Sequence, residues 1–198
     1  STLLLDRPRR TSTAKGKVHP VLVKRVLESA DCIEAAIDAV REVDRVGAWS
    51  MCISHHTTDR LCYLEYDGSA LEVRYDEPVV SATNHCSLQP PLFDVPQHSV
   101  HRLQRVRQVL GWELESDILP ETAQELLRDR FDLGRRRETA HPTMNTVRRV
   151  DNQVSIVMQP ALGNVWATPG PTAKGFEDQY YKFNVEELLA ASPVETPA

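Results

Sequence analysis

Residues 61–75 constrain the fold most, because they have the pattern of a β-hairpin. The runs LCYLEY and ALEVRY flank Asp67-Gly68, a pair that tolerates the positive φ of a tight turn between antiparallel strands. Just upstream, the run WSMCIS at 49–54 alternates apolar with small or polar residues, which is typical of a half-buried strand. This part of the chain therefore predicts neighbouring antiparallel strands.

Apolar residues recur at helical spacing on both sides of the hairpin. The first two predicted helices cover 23–30 and 33–40, with Asp31 as the N-cap of the second. Ser99 is predicted to cap a third helix that ends at Gly111. The other predicted elements are a helix at 122–131, a short helix begun by Asn184, and strands at 1–6, 79–84, 153–159 and 164–170.

Strands cluster with strands and helices with helices, without regular βαβ alternation. This order predicts an α+β fold with antiparallel sheet. A chain of 198 residues, 41% hydrophobic and 26% charged, is large enough for a globular domain with a real core. We predict a single domain over 1–192 and a disordered tail over 193–198.

Composition removes several classes of function. The net charge of −5 argues against nucleic acid as a partner, and the cationic run at 135–137 is typical of a solvated loop. No window has transmembrane length, and the start lacks a signal-peptide pattern. With only 8 glycines there is no phosphate-binding loop. Four cysteines without CxxC pairing (Cys32, Cys52, Cys62 and Cys86) favour reduced, mostly buried thiols and a cytoplasmic location.

Nucleophilic chemistry has two simple candidates. Ser1 precedes an apolar run, as in an N-terminal-nucleophile (Ntn) hydrolase whose first hydroxyl attacks an amide while its own α-amine is the base. The alternative is that Ser1 is only a chain boundary, since serine is a common residue. His85-Cys86 offers a base and a thiol, but adjacent residues on a strand point to opposite faces. A core cysteine beside a strand-end histidine is favoured there.

Histidine pairs occur twice without completing a metal site. His55-His56, near Asp59, has the pattern of a polar turn without a third spaced ligand. His98 and His101 lie three residues apart at a helix start, without a carboxylate at ligand spacing. We therefore predict no metal.

The segment SATNHCS, followed by SVHRLQRVRQVL, is the fourth candidate. Asn84 ends a predicted strand, where its amide can donate hydrogen bonds into a cleft. Arg102 projects near a helix N-terminus with its unpaired N–H groups. Such a pair is suited to polarising a carbonyl and holding an acidic substrate group. On spacing alone, a turn-capping asparagine and a surface arginine are the favoured interpretation.

The order of short motifs resembles a known family. TNH ending a strand, a variable loop and S-x-x-R opening a helix are similar to the isopenicillin-N acyltransferase family (acyl-CoA:6-aminopenicillanic acid acyltransferases) of Ntn hydrolases. Bile salt hydrolases, penicillin V acylases and acid ceramidase are more distant relatives of that family. The flanking runs VLVKRVLESA, AWSMCISH, CYLEYDG, TMNTVRRVDNQVSIVMQP and NVWATPGP agree in order, so the resemblance covers residues 1–189.

The resemblance implies an αββα sandwich, with two antiparallel sheets between helical layers and some N-terminal strands lacking. It implies an autoprocessed cysteine enzyme that cleaves a linear amide through an acyl-enzyme and passes the acyl group to water or an amine. Asn84 would stabilise the oxyanion, Arg102 would orient substrate or stabilise neighbouring charge, and Thr83 and His85 would shape the strand end that binds substrate. The implied partner is a small-molecule amide or acyl substrate, with no cofactor, and a homo-oligomer is left open.

The family's nucleophile is a cysteine exposed by autoproteolysis, and none of the four cysteines precedes the matching pattern. STLLLDRP resembles a strand downstream of the nucleophile. We therefore interpret Ser1 as a break point and expect the nucleophile in a missing N-terminal segment. Two alternatives stay open: a non-catalytic binding or pairing subunit of the same fold, and an Ntn serine hydrolase that uses Ser1.

Overall fold

The computed structural model of the chain describes residues 2–4, 16–58, 60–75, 79–88, 95–111, 118–170 and 179–191. Within them lie five α-helices and three small antiparallel sheets, which confirms the predicted α+β class. Residue contacts divide the chain into two compact units, Ser1–Leu103 and Gln104–Ala198. The single domain over 1–192 stays a prediction, and the predicted tail at 193–198 lies outside the described residues.

The first unit is built on a four-stranded sheet in which every neighbouring pair is antiparallel. Met51 pairs with Leu64, and Leu64 pairs with Val73, so apolar side chains share one face. Ser50 pairs with Glu65 on the other face. The strands, in sheet order, are β1 (Thr2–Leu4), β2 (Trp49–Ser54), β3 (Leu61–Tyr66) and β4 (Leu71–Tyr75).

The hairpin between β3 and β4 is confirmed, but its turn differs from the expected type. The loop has four residues, and Gly68 is not among the residues with positive φ. Asp67 closes the loop instead, because its Oδ1 accepts the backbone N–H groups of Ser69 at 2.7 Å and Ala70 at 2.8 Å. The side chain of the aspartate replaces the backbone conformation that a two-residue turn requires.

Helices α1 (His19–Ser29) and α2 (Ile33–Arg41) bury their apolar stripes in the same core as Met51 and Leu64. The cap of α2 was predicted one residue too early. Cys32, not Asp31, precedes the helix, and its Sγ accepts the N–H of Ala35 at 3.4 Å. Cys32 is exposed and Cys52 is half-buried, so the expectation of buried thiols holds only for Cys62 and Cys86.

The predicted strand at 79–84 is wrong, since residues 79–88 form no strand. This segment runs irregularly toward helix α3 (Gln97–Leu110) and is held by side chains in place of a strand ladder. Ser99 is not the cap of α3, because the helix starts two residues earlier and the Ser99 N–H donates to Pro96 O at 2.9 Å. The predicted helix end is confirmed by Gly111, with φ of 78°.

In the second unit, the two strands predicted at 153–159 and 164–170 are confirmed as β7 (Val154–Gln159) and β8 (Asn164–Pro169). The predicted cap of the helix at Val185–Ala191 (α5) is also confirmed, since Asn184 Oδ1 accepts the N–H groups of Glu186 and Glu187 at 3.1 and 3.2 Å. The helix predicted at 122–131 runs two residues earlier at its start and ends three earlier. The other elements of this unit are α4 (Pro120–Arg128), β5 (Phe131–Asp132), β6 (Arg137–Glu138), a 3-10 turn (Pro160–Leu162), β9 (Tyr181–Asn184) and α5 (Val185–Ala191).

Asp132 organises the irregular part of the second unit. Its carboxylate is fully buried and accepts hydrogen bonds from the Asn145 amide, the Thr143 hydroxyl and the Arg135 N–H. Burial alone would raise the pKa of Asp132, but these donors together hold it below its ordinary value. The arginine run at 135–137 is exposed, as predicted for a solvated loop.

One face of the sheet β7-β8-β9 is apolar and exposed. On β7, Val154, Ile156 and Met158 are 49%, 45% and 58% exposed. The register places Phe183 of β9 on the same face, opposite Val165, which in turn is opposite Met158. Monomers seldom leave a contiguous apolar patch open to solvent.

We expect the purified chain to bind a hydrophobic dye such as anilinonaphthalene sulfonate through this face. Met158→Lys should reduce the fluorescence of bound dye, because it places a charge within the patch. Lys182→Gln is the matched control, since Lys182 lies on the opposite face beside Trp166. A dye titration that shows no binding to the folded chain, or equal binding by both variants, contradicts the assignment of the patch.

The first residue of α1, His19, is a buried histidine. The ring of His19 stacks on Trp49 with centroids 4.1 Å apart, and the Tyr66 hydroxyl lies 2.5 Å from Nδ1. Burial raises the pKa of Tyr66 well above its ordinary value, so the hydroxyl stays protonated. Burial lowers the pKa of His19 to about 4, and its Nε2 has no partner within the described residues. The folded chain therefore holds this imidazole neutral.

We expect acid to destabilise the chain through His19. The folded-state pKa of about 4 lies below the ordinary histidine pKa of 6.5, so the unfolded chain binds more protons between these values. The contribution of neutral His19 to the free energy of unfolding is fully present above pH 6.5. It is lost as the pH falls to about 4, and the loss reaches about 3 kcal/mol. Denaturant unfolding of the wild type and His19→Gln at several pH values measures it. A constant difference between the two proteins over this range contradicts the prediction.

Candidate functional site

The structure brings all four predicted site residues together within the first unit. Thr83, Asn84 and His85 lie on the irregular segment that follows the sheet, and Arg102 lies one turn into α3. Arg102 is only 6% exposed, so the interpretation of a surface arginine is wrong. Side-chain hydrogen bonds join this segment to the start of α3.

Asn84 and Arg102 are hydrogen-bonded to each other. Arg102 Nη2 donates to Asn84 Oδ1 at 2.7 Å, and Arg102 Nε donates to His98 O at 3.2 Å. Because a guanidinium has donors only, the oxygen end of the Asn84 amide must face Arg102. The amide nitrogen then lies at the other end of the group. The contact sets the direction in which Asn84 presents its N–H groups.

Thr83 and His85 meet the start of α3 at Ser99. The Thr83 hydroxyl donates to Ser99 O at 2.9 Å, and the Ser99 hydroxyl donates to Thr83 Oγ1 at 3.0 Å. His85 Nδ1 lies 2.9 Å from Ser99 Oγ and 3.1 Å from Thr83 Oγ1. Ser99 is fully buried, so this serine–histidine contact joins the segment to the helix and offers no exposed nucleophile.

Ser99 was missed as a site residue by the sequence reasoning, which made it a helix cap. The usable signal was its spacing from Arg102. Residues three apart on a helix are neighbours on one face, so Ser99 and Arg102 can both reach the segment that carries Asn84.

Glu65 was also missed. Its carboxylate is fully buried and accepts the Tyr63 hydroxyl at 2.8 Å, the Ser87 N–H at 2.6 Å, the Ser87 hydroxyl at 3.0 Å and the Leu88 N–H at 2.9 Å. Burial and the bond to this carboxylate raise the pKa of Tyr63 far above its ordinary value. The signal was present in CYLEY, an acid within an otherwise apolar strand of the sheet interior.

Within the described residues, the remaining candidates assemble no further site. Cys86 is buried, as expected of a core cysteine, but His85 ends no strand. The rings of His55 and His56 lie 4.6 Å apart, while Asp59 and Ser1 are outside the described residues. Within the described ranges, no three His, Cys, Asp or Glu side chains are grouped so that they could hold a metal ion.

Among the described helices, none combines the length and the apolar character of a membrane span. Comparison with known proteins identifies no relative, because no family model, curated protein or solved structure matches this chain.

Proposed function

We propose that this chain carries the oxyanion-binding side of an amide hydrolase or N-acyltransferase of the cysteine Ntn type, with the αββα sandwich of that class. The supporting observation is the Arg102–Asn84 hydrogen bond of 2.7 Å. An amide group held in one orientation at a half-buried position is suited to stabilising charge on a carbonyl oxygen. The motif order T-N-H then S-x-x-R is the second support.

Asn84 is the proposed catalytic residue. When a nucleophile attacks an amide carbonyl, the oxygen gains negative charge, and a donor already aimed at it costs no reorganisation. Arg102 fixes the amide oxygen of Asn84. The hydrogen bond from Thr83 to Ser99 attaches the residue before Asn84 to α3. In this proposal Arg102 acts mainly as a positioning residue. The polar groups around Thr83 and His85 orient the substrate.

The nucleophile in this proposal is a cysteine thiolate from a segment upstream of Ser1 in the parent polypeptide, activated by its own α-amine. Three of the chain's four thiols suit the role poorly. Cys62 and Cys86 are buried, and burial raises the pKa of Cys52. A thiol with a raised pKa has less of the nucleophilic thiolate at neutral pH.

The reaction follows from these groups. The thiolate forms a bond to the amide carbon, and the oxyanion is held by the Asn84 amide. The C–N bond then breaks as the protonated α-amine gives its proton to the leaving amine. A thioester remains, and water or an acceptor amine takes the acyl group from it while the α-amine receives the proton of the incoming nucleophile.

We expect Asn84→Asp, in the parent protein with its nucleophile, to lower kcat by about 10²–10³-fold. The aspartate keeps the size of the side chain and an oxygen for Arg102, but it removes the N–H donor. Turnover of a panel of N-acyl-4-nitroanilides measures the effect, and Gln97→Ala, at an exposed position in the first turn of α3, is the matched control. Full turnover by a folded Asn84→Asp variant contradicts the assignment.

Arg102→Lys separates the two roles of the arginine. A lysine keeps the charge but cannot hold the amide oxygen with the same fixed geometry. If Arg102 positions Asn84, kcat falls with little change in KM. A rise in KM alone shows that Arg102 holds the substrate.

We also expect the chain alone to be inactive as an amidase, because the proposed nucleophile is outside it. Incubation with the same amides and with serine- and cysteine-reactive probes tests this. Stoichiometric labelling of Ser1 together with turnover contradicts the proposal and supports an Ntn serine hydrolase. Failure of the processed parent protein to hydrolyse any amide supports a non-catalytic pairing subunit.

A further inference from the structure

The segment that carries Asn84 is held from both sides. On the N-terminal side, Thr83 is fixed to Ser99 by two hydrogen bonds of 2.9 and 3.0 Å. On the C-terminal side, the N–H groups of Ser87 and Leu88 are both bound by one carboxylate, that of Glu65. Asn84 lies between these two attachments, with only two further residues before Ser87.

The second attachment replaces a strand ladder. Residues 79–88 form no strand, so their backbone N–H groups need other acceptors where they are removed from water. Glu65 lies on β3, an interior strand that pairs with β2 on one side and with β4 on the other. A group bonded to Glu65 is therefore fixed relative to the sheet.

The chemistry of the site requires a carboxylate. Oε1 accepts three hydrogen bonds, from Tyr63 and from the N–H and hydroxyl of Ser87, while Oε2 accepts the Leu88 N–H. An ionised carboxylate has acceptors only, so every one of these donors is satisfied. A glutamine would place an NH₂ group against a donor.

We propose that Glu65 is a positioning residue for the oxyanion donor: it fixes Ser87 and Leu88 to the sheet and so sets the place of Asn84. This inference rests on the proposed function of Asn84. Glu65 touches no reacting atom, and its effect passes through the backbone between residues 84 and 88.

The test is a double-mutant cycle in the parent protein, with N-acyl-4-nitroanilides as substrates. We expect Glu65→Gln to lower kcat by about 10–100-fold at nearly constant KM, because a donor displaced by a fraction of an ångström loses much of its effect. In an Asn84→Asp background, adding Glu65→Gln should lower kcat further by less than about threefold, since the donor is already absent. Tyr63→Phe removes one donor but leaves both backbone contacts, and should keep most of kcat.

The outcomes separate the two claims. If Asn84→Asp keeps full turnover, the proposed function of Asn84 fails, whatever Glu65 does. If Asn84→Asp is impaired but Glu65→Gln multiplies the loss in both backgrounds equally, the role of Glu65 fails alone. Amide hydrogen exchange at Ser87 and Leu88 checks the contact directly, and both protons should exchange faster in Glu65→Gln.

A second variant keeps the inference testable if Glu65→Gln does not fold. Ser87→Pro removes both donors of Ser87, its backbone N–H and its hydroxyl, at an exposed position, and it leaves the buried carboxylate in the sheet. We expect it to lower kcat at constant KM, with a cooperative thermal melt. A folded Ser87→Pro variant with wild-type kcat overturns the inference.

Discussion

A carboxylate without solvent contact is stable only if the protein supplies its donors, and Glu65 is the clearest case in this chain. Its donors come from its own strand and from a segment that has no ladder of its own. The requirement works in both directions, because the segment also needs acceptors for its N–H groups. The polar side of the first unit depends on this mutual satisfaction.

The sheet of the first unit separates two tasks by alternation. One face carries Met51 and Leu64 and is buried with the two helices in the apolar core. The other carries Ser50 and Glu65, which are equally buried but hydrogen-bonded. The period of two along a strand lets one element serve a hydrophobic core and a polar network.

Local patterns predicted most elements, and long-range contacts account for the failures. The alternation in β7 and β8 and the cap at Asn184 were recognised because each depends on a few adjacent residues. The strand at 79–84 was wrong because an apolar run does not tell whether its backbone joins a sheet, and this segment is held through side chains such as Thr83. Cys32 replaced Asp31 as a cap because boundaries shift by a residue without changing the pattern.

In the candidate site, too, local patterns were recognised and long-range contacts were not. Asn84 and Arg102 were identified by motif, but their direct bond required the tertiary structure. Glu65 was passed over because the backbone donors that its carboxylate accepts, at residues 87 and 88, are distant in sequence.

The aspartate turn has a consequence for the order of folding. Its bonds lie within Asp67–Ala70, and β2, β3 and β4 follow one another along the chain, so this meander needs only short loop closures. Strand β1 instead pairs with β2 across a long stretch of sequence, Leu4 opposite Trp49. Contacts of low sequence separation form fastest. The meander can therefore serve as the template onto which β1 is added last.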